Sequence, residues 1–206
     1  MSEPFRVVVL ASGNGTNLQA VLDEFEGSKD VAIAGVGSDK PGAKALERAS
    51  GAGVETATFP IEDFPDRPSR DGAMADWIES LRADLVVLAG YMQLLSPAFI
   101  ARFLNRIINV HPALLPSFPG LDAIGQALDA GVRITGVTIH FVDEGVDSGP
   151  VIMQRPLPVP PNRDRAELEE TIHKTEHSLL PQAVTLIAEG RVRIDERNPR
   201  LVVINE

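Results

Sequence analysis

Phe5-Arg6-Val7-Val8-Val9-Leu10-Ala11 runs straight into Ser12-Gly13-Asn14-Gly15, and Thr16 to Glu26 follows with Leu18, Val21, Leu22 and Phe25 on one stripe. The first segment is a continuous, valine-rich apolar run, the mark of a strand buried on both faces in a parallel sheet. The glycines turn the chain, and the stripe predicts a helix with one apolar face. Outward from this segment the alternation repeats. Val31 to Val36 reads as a second buried strand, Lys44 to Ala52 as a helix, and Val54 to Thr58 as a short strand. Phe59 to Pro68 carries three prolines and reads as a loop. Ser69 is expected to cap a helix reaching about Leu81. Leu85 to Ala89 is a further buried strand, and Ser96 caps a short helix with Pro97 at its first position. Strands alternating with helices over short connections imply a doubly wound α/β sheet with a Rossmann-like N-terminal half.

The second half reads differently. Arg106 to Val110, Thr135 to Val142 and Val151 to Pro158 are expected strands with little helix between them, so at least one is antiparallel. Asp164 caps a long helix from about Arg165 to Glu189, with Glu167 as capping-box partner. Arg191 to Ile194 and Leu201 to Ile204 suggest a closing hairpin around Asn198-Pro199. The expectation is one domain over residues 1–206 with two functional halves, about 1–105 and about 106–206.

Bulk composition narrows the function classes. The net charge of −10 opposes nucleic-acid and anionic-membrane binding, which need a positive field. The absence of cysteine removes disulfides, thiolate zinc sites and cysteine nucleophiles. No secretory leader and no apolar run of about 20 residues is evident, which makes the cytoplasm the default location.

Four motifs bear on chemistry. Gly13-Asn14-Gly15-Thr16-Asn17 opens a helix after a strand, where backbone N–H groups suit an anion. No Lys-Ser or Lys-Thr follows, so it is not a P-loop; Leu18 stands where a dinucleotide fingerprint has its third glycine. A single phosphate fits, and so does a plain tight turn. Asn109 and His111 lie two apart at a strand end, on one side. Pro112 restricts His111 to extended backbone, and Pro116 and Pro119 stiffen the loop beyond it. A satisfied strand-end histidine would look the same. Asp143 to Pro150 is an acidic, glycine-containing loop without EF-hand spacing; within it Asp147 either caps a turn or orients His111. His173-Lys174-Thr175-Glu176-His177 matches the H-x-x-E-H pattern of some zinc proteases. It lacks a convincing distant third ligand, and no metal is expected; a solvated helix face, or a face on which His173 and Glu176 reach a substrate, accounts for it.

Taken together these segments resemble the glycinamide ribonucleotide formyltransferase family, from about Phe5 to Gly190. The resemblance rests on Ala11 to Asn17, Val87 to Met92, Asn109-Val110-His111-Pro112-Ala113-Leu114-Leu115-Pro116, and Gly136 through Gly149. It implies the formyltransferase fold and transfer of a formyl group from 10-formyltetrahydrofolate to the ribonucleotide amine. The folate is a consumed cosubstrate, and no tightly bound cofactor is implied. By the same resemblance Asn109, His111 and Asp147 are catalytic, Gly15, Thr16 and Asn17 hold the phosphate, and Glu176 holds the ribose. Arg67, the main chain of Met92, Gln93, Leu94 and Leu95, and the loop containing His140, Asp143 and Asp147 take the folate, with Asn109 also in contact. The Leu-Leu-Pro turn implies a cis Leu115–Pro116 bond. If Asp147 meets His111, its charge should raise the imidazole pKa. Asp122 stands where the family commonly has histidine, and His173 where it often has lysine. The expected partners are the two small molecules, with a homodimer left open. Folate hydrolysis, and phosphometabolite binding without chemistry, are the competing readings.

Overall fold

The computed structural model describes residues 3–205. A seven-stranded sheet has the order β3-β2-β1-β4-β5-β6-β7. Its strands are β1 (Phe5–Leu10), β2 (Val31–Ser38), β3 (Thr56–Thr58), β4 (Leu85–Leu88), β5 (Ile107–His111), β6 (Ile134–Phe141) and β7 (Val151–Pro158). The helices are α1 (Thr16–Glu24), α2 (Lys44–Gly51), α3 (Arg67–Ser80), α4 (Pro97–Arg102), α5 (Ala123–Asp129) and α6 (Arg165–Ala188), and β8 (Val192–Ile194) pairs antiparallel with β9 (Val202–Ile204). No helix among the described residues is long and apolar enough to cross a membrane. The chain divides into two compact units between Ile108 and Asn109.

In the first unit β1 lies parallel to both β2 and β4, and β2 parallel to β3. Winding thus reverses beside β1, and in such sheets ligands bind at the carboxyl ends of the strands flanking the reversal. The valines that predicted burial on both faces are buried: Val7, Val8, Val9 and Leu10 are fully inaccessible, as are Leu18 and Val21 of α1. Each such aliphatic side chain contributes about 1.5–3 kcal/mol. The start of α3 corrects the sequence reading. Its cap is Asp66, whose side chain accepts from the Ser69 N–H at 2.8 Å, so Ser69 supplies the donor rather than the cap. Pro68 sits within the first turn, where a missing N–H costs nothing. Ser96 caps α4 as expected, accepting from the Phe99 N–H at 3.3 Å.

In the second unit β6 and β7 are antiparallel. Their register shifts between Ile139 and His140, a bulge of the kind that re-aims a side chain. Helix α6 is capped by Asp164, which accepts from the Glu167 N–H at 3.0 Å. The reciprocal arm of the expected capping box is replaced: the Asp164 N–H donates to Asn162 Oδ1 at 3.2 Å. Leu168, Ile172, Leu180 and Val184 give α6 its fully buried face. Helix α5 has no counterpart in the sequence reading. Asp122 caps it from a left-handed conformation, φ 53°, accepting from the Gly125 N–H. The Leu115–Pro116 bond is cis.

Candidate active site

The catalytic candidates all lie in the second unit, and the structure brings them together. Strand β5 ends on Asn109 and His111. The loop between β6 and β7 delivers Asp147, and β6 delivers His140 at its bulge. Gly149 lets this loop close, because a Cβ there would fall on the Phe141 carbonyl. Asp147 is the hub. Its Oδ2 lies 3.3 Å from His111 Nδ1 and accepts from the Gly120 N–H at 2.7 Å. Its Oδ1 accepts from Asn109 Nδ2 at 3.4 Å and lies 3.6 Å from His140 Nε2. His140 Nδ1 is 2.8 Å from the Phe141 carbonyl, which only accepts, so that nitrogen carries a proton. With Nδ1 as donor, His140 Nε2 can accept from Asn109 Nδ2 at 3.2 Å. The two protons of the Asn109 amide are therefore divided between Asp147 and His140.

His111 is almost wholly buried and faces an acceptor at each ring nitrogen: Asp147 at Nδ1 and the Phe118 carbonyl, 2.8 Å away, at Nε2. A neutral ring serves one of them, the imidazolium both. Burial opposes the charge more strongly than Asp147 supports it, so the His111 pKa lies below the ordinary histidine value. The expectation of a raised pKa is thus corrected: the carboxylate does pull upward, and desolvation outweighs it. Asp147 itself is held below the usual carboxylate range. Burial pushes it up, but the proximity of His140, the Gly120 N–H and His111 together outweigh that push.

The Phe118 carbonyl and the Gly120 N–H belong to the proline-rich loop after β5. They are backbone groups, which residue types alone do not announce. Behind that loop Thr138 Oγ1 donates to the Ala113 carbonyl at 2.6 Å and accepts from the Leu115 N–H at 3.1 Å. Asp143 Oδ1 accepts from Ser148 Oγ at 2.7 Å and from the Gly145 N–H at 3.1 Å, closing the loop on itself. Glu176 is buried on α6. His173 and His177 stack with ring centroids 6.5 Å apart, and among the described residues no group of three or more His, Asp or Glu is placed to hold a metal ion. Asp122 is engaged by Arg165 at 2.6 and 3.2 Å.

The phosphate-loop candidates lie in the first unit. Gly15 has φ 68° and precedes α1; a Cβ there would meet Ala45 Cα at 2.7 Å, so both conformation and packing demand glycine. Thr16 is exposed and Asn17 half-buried. Met92 and Leu94 are exposed in the loop after β4. The Met92 N–H donates to Ser12 Oγ at 2.8 Å, which ties the loop after β4 to the turn after β1. Gln93 Nε2 donates to Asp39 Oδ2 at 3.0 Å. Arg67 is exposed on the first turn of α3; the buried arginine of that helix is Arg70, paired with Asp71 at 2.8 Å.

An amide, an imidazole and a carboxylate gathered at one strand end, in a chain that also carries a glycine-rich strand-to-helix loop, suit transfer of an acyl group to an amine. Residues 5–184 match the formyl transferase family, so the class of the protein is a formyl transferase. The chain is 42% identical over 193 residues to the phosphoribosylglycinamide formyltransferase of Mycobacterium tuberculosis, covering 94% of this chain and 89% of that protein. Its fold is similar to the crystal structure of glycinamide ribonucleotide transformylase 1 from Symbiobacterium toebii, with a TM-score of 0.94 and 43% identity over 100% of this chain and 96% of that one. It is also 41% identical over 194 residues to the trifunctional purine biosynthetic protein adenosine-3 of Drosophila melanogaster, covering 92% of this chain but spanning only 14% of that longer protein. The chain belongs to the phosphoribosylglycinamide formyltransferase family.

Proposed function

We propose that the protein transfers the formyl group of 10-formyltetrahydrofolate to the amine of glycinamide ribonucleotide, yielding formylglycinamide ribonucleotide and tetrahydrofolate in cytoplasmic purine biosynthesis. The observation that carries this reading is the convergence of Asn109, His111 and His140 on Asp147. The neutral amine attacks the formyl carbon and the carbonyl π pair moves to oxygen. Asn109 and His111 donate to that oxygen. The two donors reach Asp147 over 3.4 and 3.3 Å, long contacts that a developing oxyanion can take over. Asp147, relieved of them, accepts the amine proton through water. The oxyanion pair then re-forms the carbonyl, the bond from carbon to N10 breaks with its pair going to N10, N10 takes the proton back from Asp147 through water, and tetrahydrofolate leaves. In the first unit, Gly15, Thr16 and Asn17 take the ribonucleotide phosphate on the backbone N–H groups that open α1. Glu176 takes the ribose hydroxyls; Arg67, the chain at Met92–Leu95 and the His140–Asp147 loop take the folate.

Incubation with 10-formyltetrahydrofolate, with and without the ribonucleotide, tests this directly. Tetrahydrofolate release that requires the ribonucleotide is the expected result. Equal release without it would make the protein a hydrolase, and none in either case would make it a binder.

A further inference from the structure

The loop from Gly13 to Gly15 is shaped by α2 as much as by its own glycines. The Gly13 carbonyl accepts from the Ala45 N–H at 3.2 Å, and the Asn14 carbonyl accepts from Arg48 Nε at 2.8 Å. The same guanidinium donates through Nη1 to Gln19 Oε1 at 3.0 Å, and the Gln19 N–H makes the first bond of α1, to the Gly15 carbonyl at 2.9 Å. Arg48 thus joins α2, the loop and the first turn of α1 from a half-buried position. A trans peptide is planar, with its C=O and N–H on opposite sides. Two consecutive carbonyls drawn toward α2 therefore turn the N–H groups of Asn14 and Gly15 away from it. Ala45 packs into the space that a Cβ on Gly15 would fill, which fixes how deep the loop sits.

We infer that Arg48 is a positioning residue for the phosphate: it holds the Asn14–Gly15 peptide plane, next to the Gly13–Asn14 plane that the Ala45 N–H fixes, so that the loop N–H groups are presented to the anion, while its guanidinium is committed to the Asn14 carbonyl and Gln19. This rests on the assignment of Gly15, Thr16 and Asn17 to the phosphate. Lysine would keep the charge, but an ammonium lacks the planar fork that spans both acceptors. Positioning and simple charge attraction therefore predict different results for one conservative substitution.

Arg48→Ala, Arg48→Lys, Gln19→Ala and, as a control on the loop itself, Gly15→Val are assayed for the KM of each substrate and for kcat. Both Arg48 variants should raise the ribonucleotide KM roughly tenfold, about 1.4 kcal/mol. The folate KM and the kcat at saturating ribonucleotide should change by less than about twofold, as for loss of a uniform binding contribution. Gln19→Ala should move in the same direction by roughly threefold, since it leaves the bond to Asn14 in place. Recovery in Arg48→Lys would mean that charge, not positioning, is at work and overturns the inference. So would equal rises in both KM values with a lowered melting temperature, the mark of general loosening. If Gly15→Val raises the ribonucleotide KM and the Arg48 variants do not, the loop holds phosphate without help from Arg48. If none of them does, the phosphate reading itself falls.

Discussion

Replacing Asp147 with asparagine keeps the shape of the hub and removes its charge. The Gly120 N–H can still donate to the side-chain oxygen, so the loop should stay in place. What disappears is the anion 3.3 Å from His111 Nδ1. At an effective dielectric of about 20, unit charges at that separation attract by on the order of 5 kcal/mol. Delocalisation over a carboxylate and an imidazolium, with the desolvation each suffers, brings the net to about half of that or more. A span of about 2.5–5 kcal/mol is roughly 10²–10⁴ in rate. Because Asp147 pulls the His111 pKa upward against burial, its removal should drop that pKa further. The imidazolium would then form still less readily when the oxyanion develops. Steady-state kinetics by tetrahydrofolate release should show kcat lowered in that range and both KM values nearly unchanged. A titration of the His111 ring protons by NMR should show the lower pKa. His111→Ala should lose a similar factor, and the double variant little more, because the two residues act as one unit. A near-normal kcat for Asp147→Asn would reduce that residue to a turn former; multiplicative losses in the double variant would mean the pair does not act together.

Burial lowers the pKa of both His111 and His177, with the charge of His173 adding to the effect at His177. The unfolded chain therefore binds these protons more readily, and stability present above about pH 6.5 should decline as pH falls through the folded-state values. Urea midpoints at pH 7.5, 6.5 and 5.5 check this, with His177→Gln expected to flatten the slope. Ile172→Ala empties a fully buried position on α6 and should destabilise by about 2–5 kcal/mol, measured by urea unfolding. Protein purified without chelator should contain no stoichiometric zinc and should keep its activity in EDTA; one zinc per chain, with activity lost on chelation, would give the His173–His177 pair a role it lacks here.

Legibility in the sequence followed the physics of each element. The valine-containing runs at β1 and β4 are short but continuous, and their flanking turn residues and β-branched content arbitrated for buried strands. The seven residues of α5 carry only one full apolar repeat and an internal glycine, so no periodicity stood out. The cap of α3 slipped by three positions because Pro68 reads as a loop residue although the first helical turn accepts it. At the site, residue types and a family resemblance pointed to Asn109, His111 and Asp147. The strand-end spacing of Asn109 and His111 was local information, whereas their meeting with Asp147 depends on the fold. The Phe118 carbonyl and Gly120 N–H have no residue signature at all. Arg70 and Asp71 are adjacent charges on a helix and look solvated in sequence, yet both are buried, with Asp71 Oδ2 accepting from the Ser96 N–H at 2.6 Å.

Asp147 shows why the site resists prediction from local rules. It adopts φ 51°, a left-handed conformation that glycine takes without penalty and that costs other residues on the order of 1 kcal/mol. Glycine there would relax the backbone and remove the carboxylate. A longer acid would have the charge but not the short side chain that tolerates this conformation by bonding locally. Aspartate meets both demands at once, and the Gly120 N–H at 2.7 Å offsets the conformational cost by fixing Oδ2. That bond also leaves Oδ2 facing His111 and Oδ1 facing Asn109, so the contact that stabilises the strained turn is the one that aims the charge. A local rule is broken at the proposed catalytic carboxylate, and the surrounding backbone compensates.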